Sequence, residues 1–475
     1  MPYSSEWLLQ LLQRFLKNSA KIQQIHALLI TDDHLLNKPQ APSNPKWISS
    51  LLYNALIRAY LSFNRPCSTL ILYTQMLAHR TKPNAHTFPS IIKSATISSP
   101  LLGKLIHAHA VKIGVVSDPF VLTSFVSFYA ELRELGNARK VFDEITDPCI
   151  VAFNSLLDAF VKNGDMGSAV LKFRSMKKRD VVSWTSIVHG FWWNGRFLEA
   201  IGFFEMMMMN REVKPNEATY VSVLSSCANL AAEGVLCRGK EIHAYIIRNE
   251  GELSAFIGTA LVDFYGKMGL LGSARTVFNQ MKNRELCAWN AMISSLSSNG
   301  RGREALELFA SMKVEGIRPN EVTFVAILTA CARGKLVESG LELFRSMSND
   351  FLIVPIAEHY VCMVDLLAKA GLLREATEFI ESMPFQPDAS VLGALLNACN
   401  IHGATELGNE VGRRLLVMQP RHCGRYVTLA SINARAEKWS RAAVIRRVMA
   451  DARIQKAPAY SRVDPMQNLV PMSSS

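Results

Sequence analysis

Apolar residues recur along this chain in pairs of short stripes separated by a turn. In residues 286–320 each stripe repeats at intervals of three and four positions, the period of one face of an α-helix. The stripes are Trp289, Met292, Ile293 and Leu296, then Ala305, Leu308, Phe309 and Met312. Asn299-Gly300 between them favours a turn, and Pro319 closes the unit. The pattern predicts two helices joined as a hairpin.

The two-stripe pattern returns with a period of about 31 to 38 residues. Residues 50–84, 181–216 and 286–320 match one another position by position, and each ends in Pro-Asn. A hairpin of this size buries its apolar face only against its neighbours, so the hairpins must stack. The sequence therefore predicts an all-α solenoid of helix-turn-helix repeats.

Short sequence markers accompany the repeat. GNARKVFDEI at 136–145 and GSARTVFNQM at 272–281 mark the shorter units, while GKLIHAH at 103–109 and GKEIHAY at 239–245 mark the intermediate ones. Units and markers together resemble the plant pentatricopeptide repeat (PPR) of the PLS class, in which three repeat lengths alternate. The resemblance implies a right-handed superhelical array over 50–388. Its units are 50–84, 85–118, 119–149, 150–180, 181–216, 217–254, 255–285, 286–320, 321–356 and 357–388.

The pattern changes on either side of this array. Residues 389–464 resemble the two E motifs, E1 and E2, which follow the last repeat in the E subgroup of organellar RNA editing factors. Both motifs are expected to form tetratricopeptide-like hairpins. Residues 465–475 are expected to be a tail, and residues 1–49 a presequence with a degenerate first repeat. Family members of this type select a cytidine for conversion to uridine.

The resemblance assigns base recognition to the fifth and last residues of a repeat, with one base per hairpin. The pairs that are polar at both positions are Asn54 with Asn84, Asn154 with Asp180, Thr185 with Asn216, Thr259 with Glu285, and Asn290 with Asn320. Amides donate and accept hydrogen bonds, whereas carboxylates only accept. By family analogy, Asn154 with Asp180 is expected to favour uracil, Thr185 with Asn216 adenine, and the two Asn/Asn pairs pyrimidines.

These polar residues also have a structural interpretation, because Asn and Asp initiate helices well. Recurrence in register favours base recognition. The second residues of these repeats, Leu51, Val151, Val182 and Cys287, resemble apolar wedges that pack between bases, although they would equally suit a core between repeats. The intermediate units carry Pro89, Val221 and Val325 at the fifth position. Such side chains do not hydrogen-bond a base, so these units are expected to contribute spacing.

Positive charge is concentrated near the carboxyl end. Of a net charge of +12, residues 411–462 carry 12 Lys and Arg against Glu437 and Asp451. This segment would suit RNA phosphates, a protein partner, or both. The rest of the chain is almost neutral, so the array must hold RNA by more than charge.

The sequence predicts no catalytic residue, no metal site and no cofactor. A zinc cytidine deaminase requires HxE and PCxxC, and neither occurs here. The resemblance therefore implies a separate DYW-type cytidine deaminase acting in trans, together with multiple organellar RNA editing factor proteins. The nine cysteines lack metal-ligand spacing and are interpreted as reduced thiols.

The remaining expectations concern location and role. No stretch reaches the roughly 18 apolar residues of a membrane span, so a soluble protein is predicted. The first thirty residues are amphipathic, with Arg14, Lys17 and Lys21 and the single acid Glu6. They resemble an organelle presequence, with the mitochondrion favoured over the chloroplast. The predicted function is recognition of an editing site in single-stranded organellar RNA; the alternative is a passive binder for transcript stabilisation or intron splicing.

Overall fold

The computed structural model describes residues 4–16, 18–31, 34–35, 46–210, 212–230 and 234–455. These ranges contain 26 α-helices, one 3-10 turn at Val115–Ser117 and no strand, which confirms the all-α prediction. None of the helices in these ranges is both long and apolar enough to cross a membrane. The helices are α1 Ser5–Arg14, α2 Ser19–Thr31, α3 Lys46–Ser62, α4 Pro66–Ala78, α5 Phe88–Ser98, α6 Pro100–Lys112, α7 Pro119–Glu131, α8 Leu135–Asp143, α9 Ile150–Lys162, α10 Met166–Ser175, α11 Val181–Trp193, α12 Phe197–Asn210, α13 Glu217–Asn229, α14 Val235–Asn249, α15 Ala255–Lys267, α16 Leu271–Gln280, α17 Leu286–Ser298, α18 Gly302–Val314, α19 Glu321–Gly334, α20 Val337–Asn349, α21 Ala357–Lys369, α22 Leu373–Glu381, α23 Ala389–His402, α24 Thr405–Met418, α25 Cys423–Arg435 and α26 Trp439–Asp451.

The chain divides into two compact units, Met1–Ser226 and Cys227–Ser475. Within each unit the first helices of successive hairpins pack side by side. In the first unit α7 packs against α9 and α9 against α11; in the second, α15, α17, α19, α21, α23 and α25 follow one another in the same way. The side of each first helix that is not covered by a second helix therefore forms a continuous row within its unit.

The hairpin formed by α17 and α18 matches its predicted stripes. Trp289, Ile293 and Leu296 are buried on α17, and Phe309 and Met312 are buried on α18. Between them, Gly300 has φ of 74°. Glycine adopts this left-handed conformation without the steric penalty of a side chain, which explains the break in the pattern at this point.

In some hairpins an aromatic side chain at the fourth residue of the first helix packs against the preceding hairpin. The ring of Trp184 lies 4.8 Å from that of Phe173 at an interplanar angle of 75°. Trp289 contacts Phe278 at 5.0 Å and 85°. Such edge-to-face pairs are favourable beyond their buried area. Fixing the fourth residue in the core also fixes the direction of the fifth, its neighbour on the helix.

Glycines permit close packing in the intermediate hairpins. A Cβ added to Gly103 would lie 2.2 Å from Phe128, and one added to Gly239 would lie 2.0 Å from Phe264. Gly340 stands in the same relation to Leu366, at 2.2 Å. The corresponding position in other hairpins holds a buried alanine, as at Ala138, Ala169, Ala274 and Ala305. The intermediate hairpins thus lack the methyl group that the other hairpins have at this position, and a large side chain from the next first helix fills the space.

Helical hairpins also lie at both ends of the described chain. At the amino end α1 packs against α2 and α3, with Leu8 and Leu12 buried. At the carboxyl end, side chains of α23 to α25 share one core with those of α21 and α22. The predicted divisions at 49/50 and 388/389 stay predictions. The predicted tail 465–475, the last part of the second E motif, and parts of 1–49 lie outside the described residues.

Candidate RNA interface

The fifth residue of a hairpin lies on its first helix, and the last residue lies before the first helix of the next hairpin. In four of the five predicted pairs the two side chains meet. In each of these pairs the side chain of the fifth residue lies within hydrogen-bonding distance of Oδ1 of the last residue. The distance is 3.0 Å between Asn54 and Asn84, and 3.2 Å between Asn154 and Asp180, between Thr185 and Asn216, and between Asn290 and Asn320. The structure therefore brings these pairs together across the boundary between hairpins.

A buried hydroxyl completes each of these four pairs. It belongs to the third residue of the following hairpin, and we call the fifth residue, the last residue and this hydroxyl a polar triad. The hydroxyls lie close to the fifth residue, Thr87 to Asn54 at 2.7 Å, Ser183 to Asn154 at 2.7 Å, Thr219 to Thr185 at 2.7 Å, and Thr323 to Asn290 at 2.6 Å. Each also lies 2.8–3.2 Å from Oδ1 of the last residue.

In three of the four triads the last residue also caps the next helix; Asn84 does not, and its Oδ1 accepts from the His86 N–H instead. Asp180 Oδ1 accepts a hydrogen bond from the Ser183 backbone N–H at 2.8 Å, and Asn320 Oδ1 accepts one from the Thr323 N–H at 3.0 Å. Both form capping boxes, in which the hydroxyl accepts in return from the backbone N–H of the cap residue. Capping occupies Oδ1, which leaves Asp180 Oδ2 and Asn320 Nδ2 for another partner.

The Asp180 carboxyl is held in its charged form. Burial opposes ionisation, but the hydrogen bonds from the N–H and hydroxyl of Ser183 and from the Asn154 amide outweigh it, so the pKa of Asp180 lies below its ordinary value. The side chain is therefore a carboxylate at neutral pH and can only accept hydrogen bonds.

The fifth predicted pair is not joined. Thr259 Oγ1 donates to the backbone oxygen of Ala255 at 2.7 Å and lies 3.4 Å from Cys287 Sγ. Glu285 is exposed and its side chain makes no capping hydrogen bond. The third residue of the following hairpin is Ala288, which has no hydroxyl, so a triad cannot form here.

Exposed apolar side chains lie one helical turn before the fifth position. Val151 and Val182 are 51% and 49% exposed, so they do not belong to the core between hairpins, while Leu51 and Cys287 are partly buried. The sequence analysis missed three further members of this set, Phe120 at 66%, Phe256 at 59% and Val322 at 58% exposed. Their shared place as second residue of a hairpin is the signal that would have found them. Residues three apart share a helix face, so these side chains lie beside the fifth residues.

A cleft opens beside one of the triads in the second unit. It lies between α17 and α19 next to Asn290 and has a volume of about 210 Å³. Its walls include the hydroxyl side chains of Ser294, Ser298 and Thr329, with Arg333 at one end. The cleft thus combines hydrogen-bonding groups with one positive charge.

Many cations of the first helices are neutralised within the fold. Lysines at the end of the first helix pair with an aspartate one turn earlier, as in Lys162 with Asp158 at 3.0 Å, Lys267 with Asp263 at 2.9 Å, and Lys369 with Asp365 at 2.7 Å. The basic segment differs. Arg425 and Arg435 donate to backbone oxygens of α23, but Arg414, Arg441, Arg446 and Arg447 are exposed.

The described residues contain no group of three or more His, Cys, Asp or Glu side chains placed to hold a metal ion. All nine cysteines are free thiols. Burial raises the pKa of Cys331 and Cys399 to about 11. Such thiols remain protonated at neutral pH and act as small apolar side chains.

Stacked helical hairpins with polar groups repeated at fixed positions define a solenoid repeat protein, and comparison with known proteins identifies the repeat. Profiles of the PPR repeat family match residues 179–229 and 285–333, and profiles of the PPR repeat match 151–181, 259–286, 322–350 and 358–385. The chain therefore belongs to the pentatricopeptide repeat family. Proteins of this family bind RNA with one base per helical repeat, read by two or three side chains.

Individual relatives agree with this assignment. The pentatricopeptide repeat-containing protein At1g10330 of Arabidopsis thaliana is 50% identical over 461 residues, which are 96% of this chain and 97% of the relative. A second Arabidopsis protein, At1g06140, described as mitochondrial, is 34% identical and aligns over 84% of this chain and 66% of its own length. The crystal structure of maize PPR10 matches with a TM-score of 0.59 at 17% identity, covering 94% of this chain and 69% of that one, a likeness of fold.

Proposed function

We propose that this protein is a sequence-specific, single-stranded RNA-binding protein of a plant organelle that selects a cytidine for C-to-U editing. In this proposal it belongs to the PLS class and the E subgroup of the family. The observation that carries the RNA-binding part is the set of four polar triads. Each triad presents an amide or hydroxyl beside an amide or carboxylate, and the members are already hydrogen-bonded to one another.

The proposed base preferences follow from the atoms that the triads leave available. Asp180 Oδ2 is an acceptor, which suits the ring N–H of uracil, and the second N–H of the Asn154 amide can meet a base oxygen. Asn216 caps the next helix through Oδ1 and retains its NH₂ group, which suits the ring nitrogen acceptor of adenine. The Asn/Asn triads of Asn54 and Asn290 are assigned to pyrimidines.

Stacking is the second proposed contribution to affinity. The exposed second residues, including Val151 and Val182, lie beside the fifth residues on the same helix face. An apolar side chain in this place fits between neighbouring bases and favours unstacked, single-stranded RNA. Such contacts add affinity without adding charge, in keeping with the paired lysines of the array.

The editing part of the proposal rests on the alternating repeat lengths and on the resemblance of 389–464 to E motifs. In this proposal the hairpins of α23 to α26 are the docking surface for a DYW-type cytidine deaminase supplied in trans, and multiple organellar RNA editing factor proteins bind along the array. The exposed arginines near the carboxyl end contact RNA phosphates, the deaminase, or both. The mitochondrion is the proposed compartment, supported by the amphipathic amino end and by the relative described as mitochondrial.

A second function shares the same RNA interface. A protein that occupies RNA through these triads, without recruiting a deaminase, would protect a transcript end or assist intron splicing. The triads support both functions equally, and the resemblance to E motifs favours editing.

Sequencing of organellar RNA from plants that lack this protein tests the proposal. We expect one or a few cytidines to remain unconverted, with a uracil and an adenine upstream where Asn154/Asp180 and Thr185/Asn216 would lie. Unchanged editing together with an altered intron or transcript end would replace the editing function by the passive one. Complementation with an Asn154→Ala, Asp180→Ala double variant is the matched control, and it is expected not to restore conversion.

A further inference from the structure

The hydroxyl of each polar triad is inaccessible to a ligand. Thr87, Ser183, Thr219 and Thr323 are each 0% exposed. These side chains therefore do not touch RNA themselves. Each hydroxyl contacts the two residues that are proposed to touch RNA, and both of these belong to the hairpin before it.

The Ser183 hydroxyl has one hydrogen to donate and two lone pairs that can accept. Ser183 Oγ accepts from the Asp180 backbone N–H at 3.3 Å, which leaves its single hydrogen to be donated. This hydrogen is shared between Asn154 Oδ1 at 2.7 Å and Asp180 Oδ1 at 2.9 Å. When Oδ1 of Asn154 faces this donor, its Nδ2 faces Asp180 Oδ1 at 3.2 Å. One amide N–H of Asn154 and Oδ2 of Asp180 then remain for a base.

The same arrangement recurs in other triads. Thr323 Oγ1 accepts from the Asn320 N–H at 3.1 Å and lies 2.6 Å from Asn290 Oδ1. Thr87 Oγ1 accepts from the Asn84 N–H at 3.1 Å and lies 2.7 Å from its fifth-position partner. An amide that rotates by half a turn would place its NH₂ group against the hydroxyl and its oxygen against a second oxygen. Oδ1 of the last residue and the hydroxyl together therefore fix which end of the amide is presented.

The chain contains its own comparison for this effect. Before Ala288 the pair Thr259 and Glu285 is polar at both positions, yet the two side chains are not joined. Thr259 donates to its own helix, as Thr185 also does, but Glu285 extends into solvent and does not meet Thr259. A polar pair alone is therefore not sufficient for the joined geometry; the four joined pairs are those followed by a hydroxyl.

We propose that this buried hydroxyl is a positioning residue for base recognition, which orients the fifth residue so that the triad selects one class of base. The proposal rests on the proposed RNA-binding function and adds a third position to the two that meet the base. In the sequence, this hydroxyl is found where Asn or Asp ends a hairpin and Ser or Thr follows three residues later.

The test uses the full-length protein and a pool of single-stranded RNAs with randomised positions, selected by binding and then sequenced. For Ser183→Ala we expect the uracil preference at a single RNA position to fall about fivefold, the worth of roughly one hydrogen bond. The base preferences of the other three triads are expected to persist. Ser183→Thr keeps the hydroxyl, as the other triads do, and should retain the wild-type preference.

A gain of selectivity provides an independent check if Ser183→Ala does not fold. Ala288→Ser places a hydroxyl next to Thr259, and we expect it to sharpen base preference at the position this hairpin faces. A purely structural hydroxyl would lower the melting temperature, or the affinity for all RNAs alike, and leave every base preference unchanged. That result in Ser183→Ala, or no change in Ala288→Ser, would overturn the proposal. If the wild-type protein shows no base preference at all, the proposed function itself fails.

Discussion

In Asp180 the two carboxylate oxygens have different tasks. Oδ1 caps α11 through the Ser183 N–H and accepts from Asn154, while Oδ2 is left for another partner. An asparagine in this place would cap equally well, because Asn and Asp rank together as helix caps. Capping and base recognition are therefore separable by a single substitution that leaves the fold intact.

The substitution Asp180→Asn tests whether capping and base recognition are separable. The variant exchanges the Oδ2 acceptor for an NH₂ donor, so we expect the uracil preference of this triad to broaden to both pyrimidines, with about a tenfold loss of discrimination between uracil and cytosine. Competitive binding of two RNAs that differ only at that position measures the change. The melting temperature should stay close to that of the wild-type protein, and a preference that still favours uracil would argue against the assigned role.

At the scale of helices, the packing of each first helix on the preceding hairpin sets the geometry. Intermediate hairpins reach this packing with glycine where the others use alanine. A glycine in a helix is normally unfavourable because it increases the freedom of the unfolded chain. Its presence at Gly103 is explained by the ring of Phe128, which occupies the space of the missing methyl group.

Two glycine substitutions in the first unit test this explanation. Gly103→Ala places a methyl group 2.2 Å from Phe128, and we expect a loss of about 1–3 kcal/mol in the free energy of unfolding. Gly202, in the middle of α12, has no atom within 4 Å of an added Cβ. Gly202→Ala is therefore expected to stabilise by about 0.5–1 kcal/mol. Thermal or urea unfolding measures both, and equal effects of the two substitutions would exclude the close-packing argument.

Histidine–tyrosine pairs between helices give the fold a pH dependence. His107 Nδ1 lies 2.8 Å from Tyr129 Oη, and His243 Nδ1 lies 2.9 Å from Tyr265 Oη. Burial lowers the pKa of both imidazoles below the ordinary 6.5, with Glu144 opposing this slightly at His107. Below pH 6.5 the unfolded chain therefore binds more protons than the folded one, so the free energy of unfolding falls as the solution is acidified.

We expect the melting temperature to drop between about pH 7 and pH 5.5, the window in which an unperturbed histidine gains its proton. The His107→Gln, His243→Gln double variant should show a smaller drop, since two of the half-buried imidazoles are removed. His402→Gln removes an exposed imidazole and serves as the control. Equal drops in all three proteins would contradict this explanation.

At the scale of the whole molecule, the exposed positive charge and the proposed base recognition occupy different parts of the chain. The triads lie in repeats whose lysines are often paired with acids, whereas exposed arginines cluster on the last helices. Exposed ion pairs contribute little to stability, yet they reduce the net charge that RNA phosphates would meet. Affinity for RNA should therefore depend on salt mainly through the carboxyl-terminal arginines.

The salt dependence of binding tests where the phosphates lie. In Arg446→Gln, Arg447→Gln we expect the slope of log affinity against log salt to become shallower by about 1.4, the contribution of two phosphate contacts to a single strand. Arg374→Gln on α22, an arginine that pairs with Glu378 at 3.0 Å, is the control and should leave the slope unchanged. An unchanged slope in the double variant would assign this surface to a protein partner instead.

The sequence predicted the helical hairpins well, because stripes such as Trp289, Ile293 and Leu296 have the period of one buried helix face. It also placed the polar pairs in register. It did not predict the polar triads. The hydroxyl of Thr323, for example, belongs to the next hairpin, and its spacing from Asn320 is also that of an ordinary helix cap. The exposure of Phe120 was not predicted either, because an apolar residue type does not by itself show whether a neighbouring helix covers the side chain.

No residue is shared between one polar triad and the next. In the genetic code Asp and Asn codons differ by one nucleotide, and so do many Ser and Thr codons. When a mutation alters the transcript, a single substitution in one triad would restore the match without disturbing the others. The modular recognition proposed here would let a gene follow changes in its target over generations, one hairpin at a time.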